Sequence, residues 1–267
     1  FERHVVHLSN PISSEMSVMR TSHWPGLITA LQHNQNRQQK QVRLFETGLN
    51  FIGLGDTSDQ KLWISGIAAG DYLSDQWASP ARKLDFYDIK GDVESLLAHT
   101  RASDQFIFEA AQHPALHPGQ SARILQQGEP VGWLGVMHPE LERKLSLEGP
   151  VVLFEIEGQA LGEAQPRQFE AISKFPSIRR DLSFLVKDEV SAQAILDVVQ
   201  ELGLNTINKS WIFDIYQGKG VETGLKSMSL GLILLDSSRT LTDEDVEEII
   251  SQVIDLLGKK LSASLRD

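Results

Sequence analysis

The chain has 267 residues, room for two domains each with its own core, and 41% hydrophobic with 23% charged residues is the make-up of a folded soluble protein with no run near the roughly 20 apolar residues that cross a bilayer. The formal net charge of −11 is shared by both halves, which excludes a basic nucleic-acid module, so any RNA contact has to be local and shape-driven. With no cysteine there is neither a disulfide framework nor a thiolate metal site, which agrees with a cytoplasmic protein.

The first residues, Phe1 to Val5, are not a Met followed by a basic and then apolar leader, so no signal peptide is expected and the chain reads as a piece of a longer polypeptide. A helix is predicted from about Ser22 to Asn36, with Leu27, Ile28 and Leu31 inward. Strands follow at Val42–Phe51 and Leu62–Ala69, then a helix at Asp88–His99 with Val93, Leu96 and Leu97 on one face. Ser121–Leu125 and Val131–Val136 read as a hairpin around Gln127–Pro130; Pro139 starts a short helix and Val151–Glu157 forms a last strand. This first part is a mixed α+β unit with a mostly antiparallel sheet. Between Glu157 and Gln168 the strand pattern gives way to Gly, Gln and Pro, which places a linker there and bounds the domains at about 1–165 and 172–267.

The second part is more regular. Asp181–Val186 alternates as a strand, and Ser191–Leu202 is a helix capped by Ser191, with Val190 stapled onto Ile195. Ser210–Tyr216 and Lys226–Leu235 are apolar strands joined through glycines. Thr242 caps a helix whose first turn is acidic and whose stripe is Val246, Ile249, Ile250, Val253, Ile254 and Leu257, before a short strand at Ala263–Leu265. The order βαββαβ is that of the ferredoxin-like split βαβ fold.

Several polar residues have a plain reading. His113 and His117 stand four apart, but a proline follows each, so no helix presents both to a metal; His138 before Pro139 is a turn residue. The acids after Thr242 suit a helix N-terminus, and Arg179-Arg180-Asp181 reads either as a basic contact or as an internal ion pair holding the first strand, the structural role being favoured for Asp181. Gly218 and Gly220 permit positive φ in a turn. Asp214 and Tyr216 alternate with Phe213 and Ile215, giving a strand with one polar face and one packed inward.

A series of blocks in register then carries a resemblance: Asn10 to Met16, Met19-Arg20, Asn34 to Arg37, Arg43 to Gly48, Asp85 to Gly91, His113 to Gly119, Gly135 to Leu141, Lys174 to Asp181, Trp211 to Gly220 and Ser238 to Val246. It resembles the C-terminal third of the β subunit of the bacterial phenylalanine–tRNA ligase family, over essentially the whole chain. The resemblance implies an α2β2 enzyme that uses ATP and Mg2+ in its α subunit. Residues 1–165 would be a catalytically silent class II synthetase-like core, and 172–267 a ferredoxin-fold domain on the tRNA(Phe) anticodon arm. It puts Asp214, Tyr216 and Ser227 at the anticodon, as hydrogen-bonding groups and a stacking ring. Beside their turn role, Gly218 and Gly220 carry a second reading, close approach of RNA backbone. Lys219, Lys226, Arg239 and Arg266 are candidate phosphate contacts. Met16, Met19 and Trp24 lie where the family's cores pack together, so they are read either as core or as subunit interface. Silence in the first domain follows from the residues: Arg43-Leu44-Phe45-Glu46 resembles a remnant of the ATP-binding motif, but Val151–Ile156 has no glycine and no arginine. No catalytic residue, cofactor or metal is expected in this chain, nor DNA or membrane; editing would lie upstream. The rival readings are a protein scaffold that touches no RNA and an autonomous class II ligase.

Overall fold

In the computed structural model, which describes residues 5–54, 57–100, 105–162 and 172–266, the chain divides into two units, Phe1–Arg167 and Gln168–Asp267. Among the described residues no helix is long and apolar enough to cross a membrane.

The first unit is built on one antiparallel sheet. Its strands are β1 (Gln41–Leu54), β2 (Thr57–Gly70), β3 (Phe106–Ala110), β4 (Leu116–Gln126), β5 (Glu129–Met137) and β6 (Val151–Glu157), in the order β1-β2-β6-β5-β4-β3. Helix α1 (Trp24–Gln35), with Pro25 in its first turn, lays Trp24, Leu27 and Leu31 on one face against Val42, Ile67, Trp133 and Leu153. Helix α2 (Phe86–Ala98) covers the other face, where Ile89, Val93 and Leu97 meet Ala68, Leu134, Val152 and Ile156. Asp85 starts α2 with a capping box: its side chain accepts from Tyr87 N and Asp88 N, while Asp88 accepts from Asp85 N. Because β6 sits mid-sheet between the two helices, Val151, Val152, Leu153 and Ile156 are all at most 1% exposed.

The sequence reading misses β3, whose five residues lack clean alternation, and starts β2 and β4 too late. The hairpin turn is tighter than expected. Gln127 (φ 52°) and Gly128 (φ 86°) alone make it, and Glu129 and Pro130 already belong to β5. The expected linker from residue 163 onward lies outside the described residues, while its start, Gly158–Leu161, is a 3-10 turn that buries Ala160. The three His-Pro pairs share one device: the rings of His113, His117 and His138 accept from the amides of Ala115, Gly119 and Glu140, at 3.2, 3.1 and 3.2 Å. His138 thereby caps α3 (Pro139–Lys144).

The second unit follows βαββαβ: β7 (Ile178–Lys187), α4 (Ala192–Glu201), β8 (Ile207–Tyr216), β9 (Leu225–Leu234), α5 (Asp243–Leu261) and β10 (Ser264–Leu265). The sheet order is β10-β7-β9-β8, all antiparallel. Both helices pack on one face: Ile195, Val198 and Val199 of α4 and Val246, Ile249, Val253 and Leu257 of α5 close over Phe184, Val186, Met228, Leu230 and Leu232. Ser191 caps α4 by accepting from Ala194 N at 3.1 Å. Thr242 and Asp245 form a reciprocal capping box on α5, and Arg239 clamps Asp245 through two bonds of 2.6 and 2.8 Å. That clamp, then the Thr242 bonds, hold the Asp245 carboxyl well below the ordinary carboxylate range. Arg239 is thus half-exposed but already engaged by a carboxylate at the start of α5.

Candidate nucleic-acid interface

With α4 and α5 both on one side, the other face of the second sheet carries no helix of its own unit among the described residues. In an antiparallel ladder, paired residues point to the same side, so register alone places the side chains on it. Asp181 pairs with Gly231 and Gly231 with Trp211; Ser183 with Ser229 and Ser229 with Asp214; Leu185 with Ser227 and Ser227 with Tyr216. Lys209 pairs with Ile233 and Ile233 with Arg179, at the far end of the same face.

The ladder slips between Ile212 and Asp214, leaving Phe213 unpaired. This bulge corrects the sequence reading of β8. Simple alternation puts Phe213 and Ile215 inward, whereas they are 46% and 54% exposed. Phe213 lies toward the helix-free face, its ring 5.8 Å from the Arg179 guanidinium, which also sits 5.2 Å from the Trp211 ring. Ile215 pairs with Met228 on the helix side, near the end of the sheet.

Tyr216, Asp214 and Arg266 converge. The backbone of Arg266 extends β10 by donating to Ser183 O at 2.8 Å, and its guanidinium lies 5.4 Å from the centroid of the Tyr216 ring. The Tyr216 hydroxyl donates to Lys219 O at 3.1 Å, holding the ring on the β8–β9 loop. Gly218 makes that possible. A methyl there would come within 2.9 Å of the Tyr216 hydroxyl and 3.1 Å of its ring, so the residue serves close approach of a side chain, not positive φ; positive φ belongs to Gly220 and Gly224.

Two expected site residues are placed differently. Ser227 sits in the ladder between Leu185 and Tyr216 and is 3% exposed, so a base edge reaches its hydroxyl only if a neighbouring side chain swings away. Lys226 pairs with the inward Val186, on the helix side of the sheet, and its ammonium donates to Asp188 O at 2.6 Å. It braces the loop from behind instead of joining Tyr216. Asp188 also accepts from the Gln217 amide at 2.8 Å, so the loop is tied down at both ends.

In the first unit, Met16 ends a 3-10 turn and is 63% exposed, and Met19 is half-buried. Trp24 is core: it is 6% exposed, donates its indole N–H to Phe154 O at 3.1 Å and packs edge-on against His113. Its place at the start of α1 turns it under the helix, which settles the core-or-interface alternative for this residue. Arg43 is paired with Asp92 of α2 at 2.8 Å. Among the described residues no group of three or more His, Asp or Glu is placed to hold a metal ion.

Sequence reasoning missed Trp211, Phe213, Lys209 and Arg179 as occupants of the same face as Tyr216. The i, i+2 spacing of Lys209 and Trp211 was a usable signal, but the bulge reverses the parity beyond them.

The family described as Phenylalanyl tRNA synthetase beta chain CLM domain matches residues 1–157, and the Ferredoxin-fold anticodon binding domain family matches residues 173–266. The chain is 44% identical over 259 residues to the phenylalanine–tRNA ligase β subunit of Pseudomonas fluorescens strain Pf0-1, covering 97% of this chain and 33% of that protein. It is 43% identical over 267 residues to the β subunit from Colwellia psychrerythraea, covering 98% of this chain and again 33% of the relative. The structure of Desulfitobacterium hafniense PylSc, a pyrrolysyl tRNA synthetase, aligns with a TM-score of 0.41 and 13% identity over 59% of this chain and 50% of that one, a likeness too slight to argue from. Matched in this way along both units, the chain belongs to the phenylalanyl-tRNA synthetase β-chain family and spans about a third of the length of the curated relatives it matches.

Proposed function

We propose that this chain serves a phenylalanine–tRNA ligase as its anticodon-reading and assembly portion, with the helix-free face of the second sheet meeting the anticodon arm of tRNA(Phe). The observation that carries the reading is the Tyr216 ring, held by Gly218 and Lys219 and backed by Arg266, beside the exposed Asp214. An aromatic face next to a fixed cation and a carboxylate suits an unstacked base: the ring stacks, Asp214 accepts from a base N–H, and Arg266 faces phosphate. Ser227 and Gly218 support Tyr216 from beneath, and Lys226 holds the loop. Affinity for RNA is modest, because a chain of net charge −11 gains little from counterion release.

The first unit, in this reading, is a class II-like core without chemistry of its own, in a cytoplasmic α2β2 enzyme whose α subunit uses ATP and Mg2+. The buried aliphatic side chains of β6 offer no arginine and no glycine to a nucleotide, and Arg43 is engaged in an ion pair with Asp92. An assembly role is supported by the strap before α1, where Leu8, Ile12, Met16 and Val18 are 41%, 94%, 63% and 40% exposed. Met19 lies half-buried at its base.

The test is a titration of the whole chain with the tRNA(Phe) anticodon stem–loop. Tyr216→Ala is expected to weaken binding by about 1–3 kcal/mol, roughly fivefold to more than a hundredfold, and Asp214→Ala by a smaller factor. If both variants bind like the parent, the chain is a scaffold that does not read RNA.

A further inference from the structure

At the other end of the helix-free face, two strand pairs from Tyr216, a second group of rings and cations is assembled. Trp211 lies flat on the sheet: a methyl at Gly231 would come within 2.5 Å of its six-membered ring, so only a glycine opposite leaves room for the indole. The bulge brings Phe213 onto the same side with 46% of its surface exposed. Arg179, 55% exposed, reaches across from β7 toward both rings, and Lys209 comes within 5.5 Å of the Trp211 ring centroid from the far end. Asp181 accepts from Arg179 Nε at 2.9 Å, fixing the guanidinium and raising its pKa above the ordinary value. None of these residues belongs to the group around Tyr216, yet both groups lie on one continuous open surface.

We propose that Trp211, Phe213, Arg179 and Lys209 form a second nucleotide subsite, for a nucleotide of the RNA adjoining the base on Tyr216. This rests on the reading of Tyr216 as a base-stacking residue. Phe213 offers an open ring edge and face for stacking, and Arg179 adds a planar cation that stacks on bases as readily as on rings. Lys209, free of any carboxylate within ion-pair distance among the described residues, supplies the phosphate contact. The occupant is an unpaired nucleotide: a stack of rings on an open sheet cannot insert into an A-form helix, whose bases are already stacked. Charge complementarity points the same way. In a chain with a strong acidic excess, this patch gathers two cations with one acid beside exposed aromatic surface. The subsite also accounts for the bulge, which would otherwise expose a phenylalanine without use.

The experiment titrates the full chain with the anticodon stem–loop of tRNA(Phe) at several salt concentrations, using the parent, Phe213→Ala, Lys209→Gln and Tyr216→Ala, with a melting curve for each. Phe213→Ala is expected to weaken binding about fivefold or more, and Lys209→Gln to lower the slope of log affinity against log salt by about one unit, with melting unchanged. Should the alanine variant lose its fold, Phe213→Leu keeps the apolar volume without the ring and is expected to show the same loss. If both positions bind like the parent while Tyr216→Ala still weakens, the second subsite is wrong and the first stands. If Tyr216→Ala also leaves binding unchanged, the reading beneath it fails and the subsite falls with it.

Discussion

Gly218 and Gly231 of the second unit are each fixed by the ring that lies on it, Tyr216 and Trp211 respectively. Gly218 has ordinary φ, and its substitution matters through Tyr216: a methyl at 2.9 Å pushes the ring off the loop and breaks its bond to Lys219 O. Gly218→Ala is therefore expected to change stability by less than about 1 kcal/mol, since the ring is partly exposed, and to weaken stem–loop binding nearly as much as Tyr216→Ala. A melting curve beside a titration checks both halves; full binding with an intact fold would show that the ring's position is immaterial. In the first unit, His23 is 1% exposed, bonded to Ser65 at 3.0 Å, with Nε2 unpartnered among the described residues. Burial, then the charge of Arg20, lower its pKa, against a smaller opposing effect of Glu46. The unfolded ring, with its pKa near 6.5, takes a proton that the folded ring refuses. The associated stability is thus complete above about pH 6.5 and declines as the pH falls below it. Calorimetry between pH 7 and 5 is expected to show the first unit's transition dropping, and His23→Leu to flatten that drop; an unchanged slope in the variant would assign it to another group.

Among the elements, the helices were legible because their signals are local. Ser191 and Thr242 cap the helices that their sequences announce, and the apolar stripes of α4 and α5 are the ones that pack. Thr242→Ala, which removes half of a reciprocal capping box, is expected to destabilise the second unit by about 1 kcal/mol, read as a shift in its denaturation midpoint. No shift would mean that Arg239 and Asp245 hold the turn unaided. Strands were harder. β3 is short and poorly alternating, and the bulge in β8 is set by its pairing with β9, a partner that β8's own residues do not encode. The same slip hid half of the candidate interface: Asp214 and Tyr216 could be named from the resemblance, but Phe213 was assigned to the core by parity. Lys226 was misplaced for a related reason, since its side of the sheet follows from its register with Val186. For Trp24 composition left core and interface both open, and only its position at the first turn of α1 shows that it packs into the core.

For the whole molecule, each unit has a core formed from its own residues, so the two are expected to melt as separate transitions, with Thr242→Ala moving one and His23→Leu the pH response of the other. The division of labour mirrors this. One unit fills the middle of its sheet with aliphatic side chains and exposes an apolar strap, and the other leaves a whole sheet face open, set with rings and cations. With a net charge of −11, the proposed RNA contact of that face draws on stacking and hydrogen bonding more than on phosphate attraction. The most direct measurement compares binding of the full chain to the tRNA(Phe) anticodon stem–loop and to the same RNA with its anticodon positions made abasic. The account predicts that losing the bases weakens binding about tenfold or more while the salt dependence hardly changes. Equal affinity for the two RNAs would contradict it, leaving the open sheet without a base-reading role.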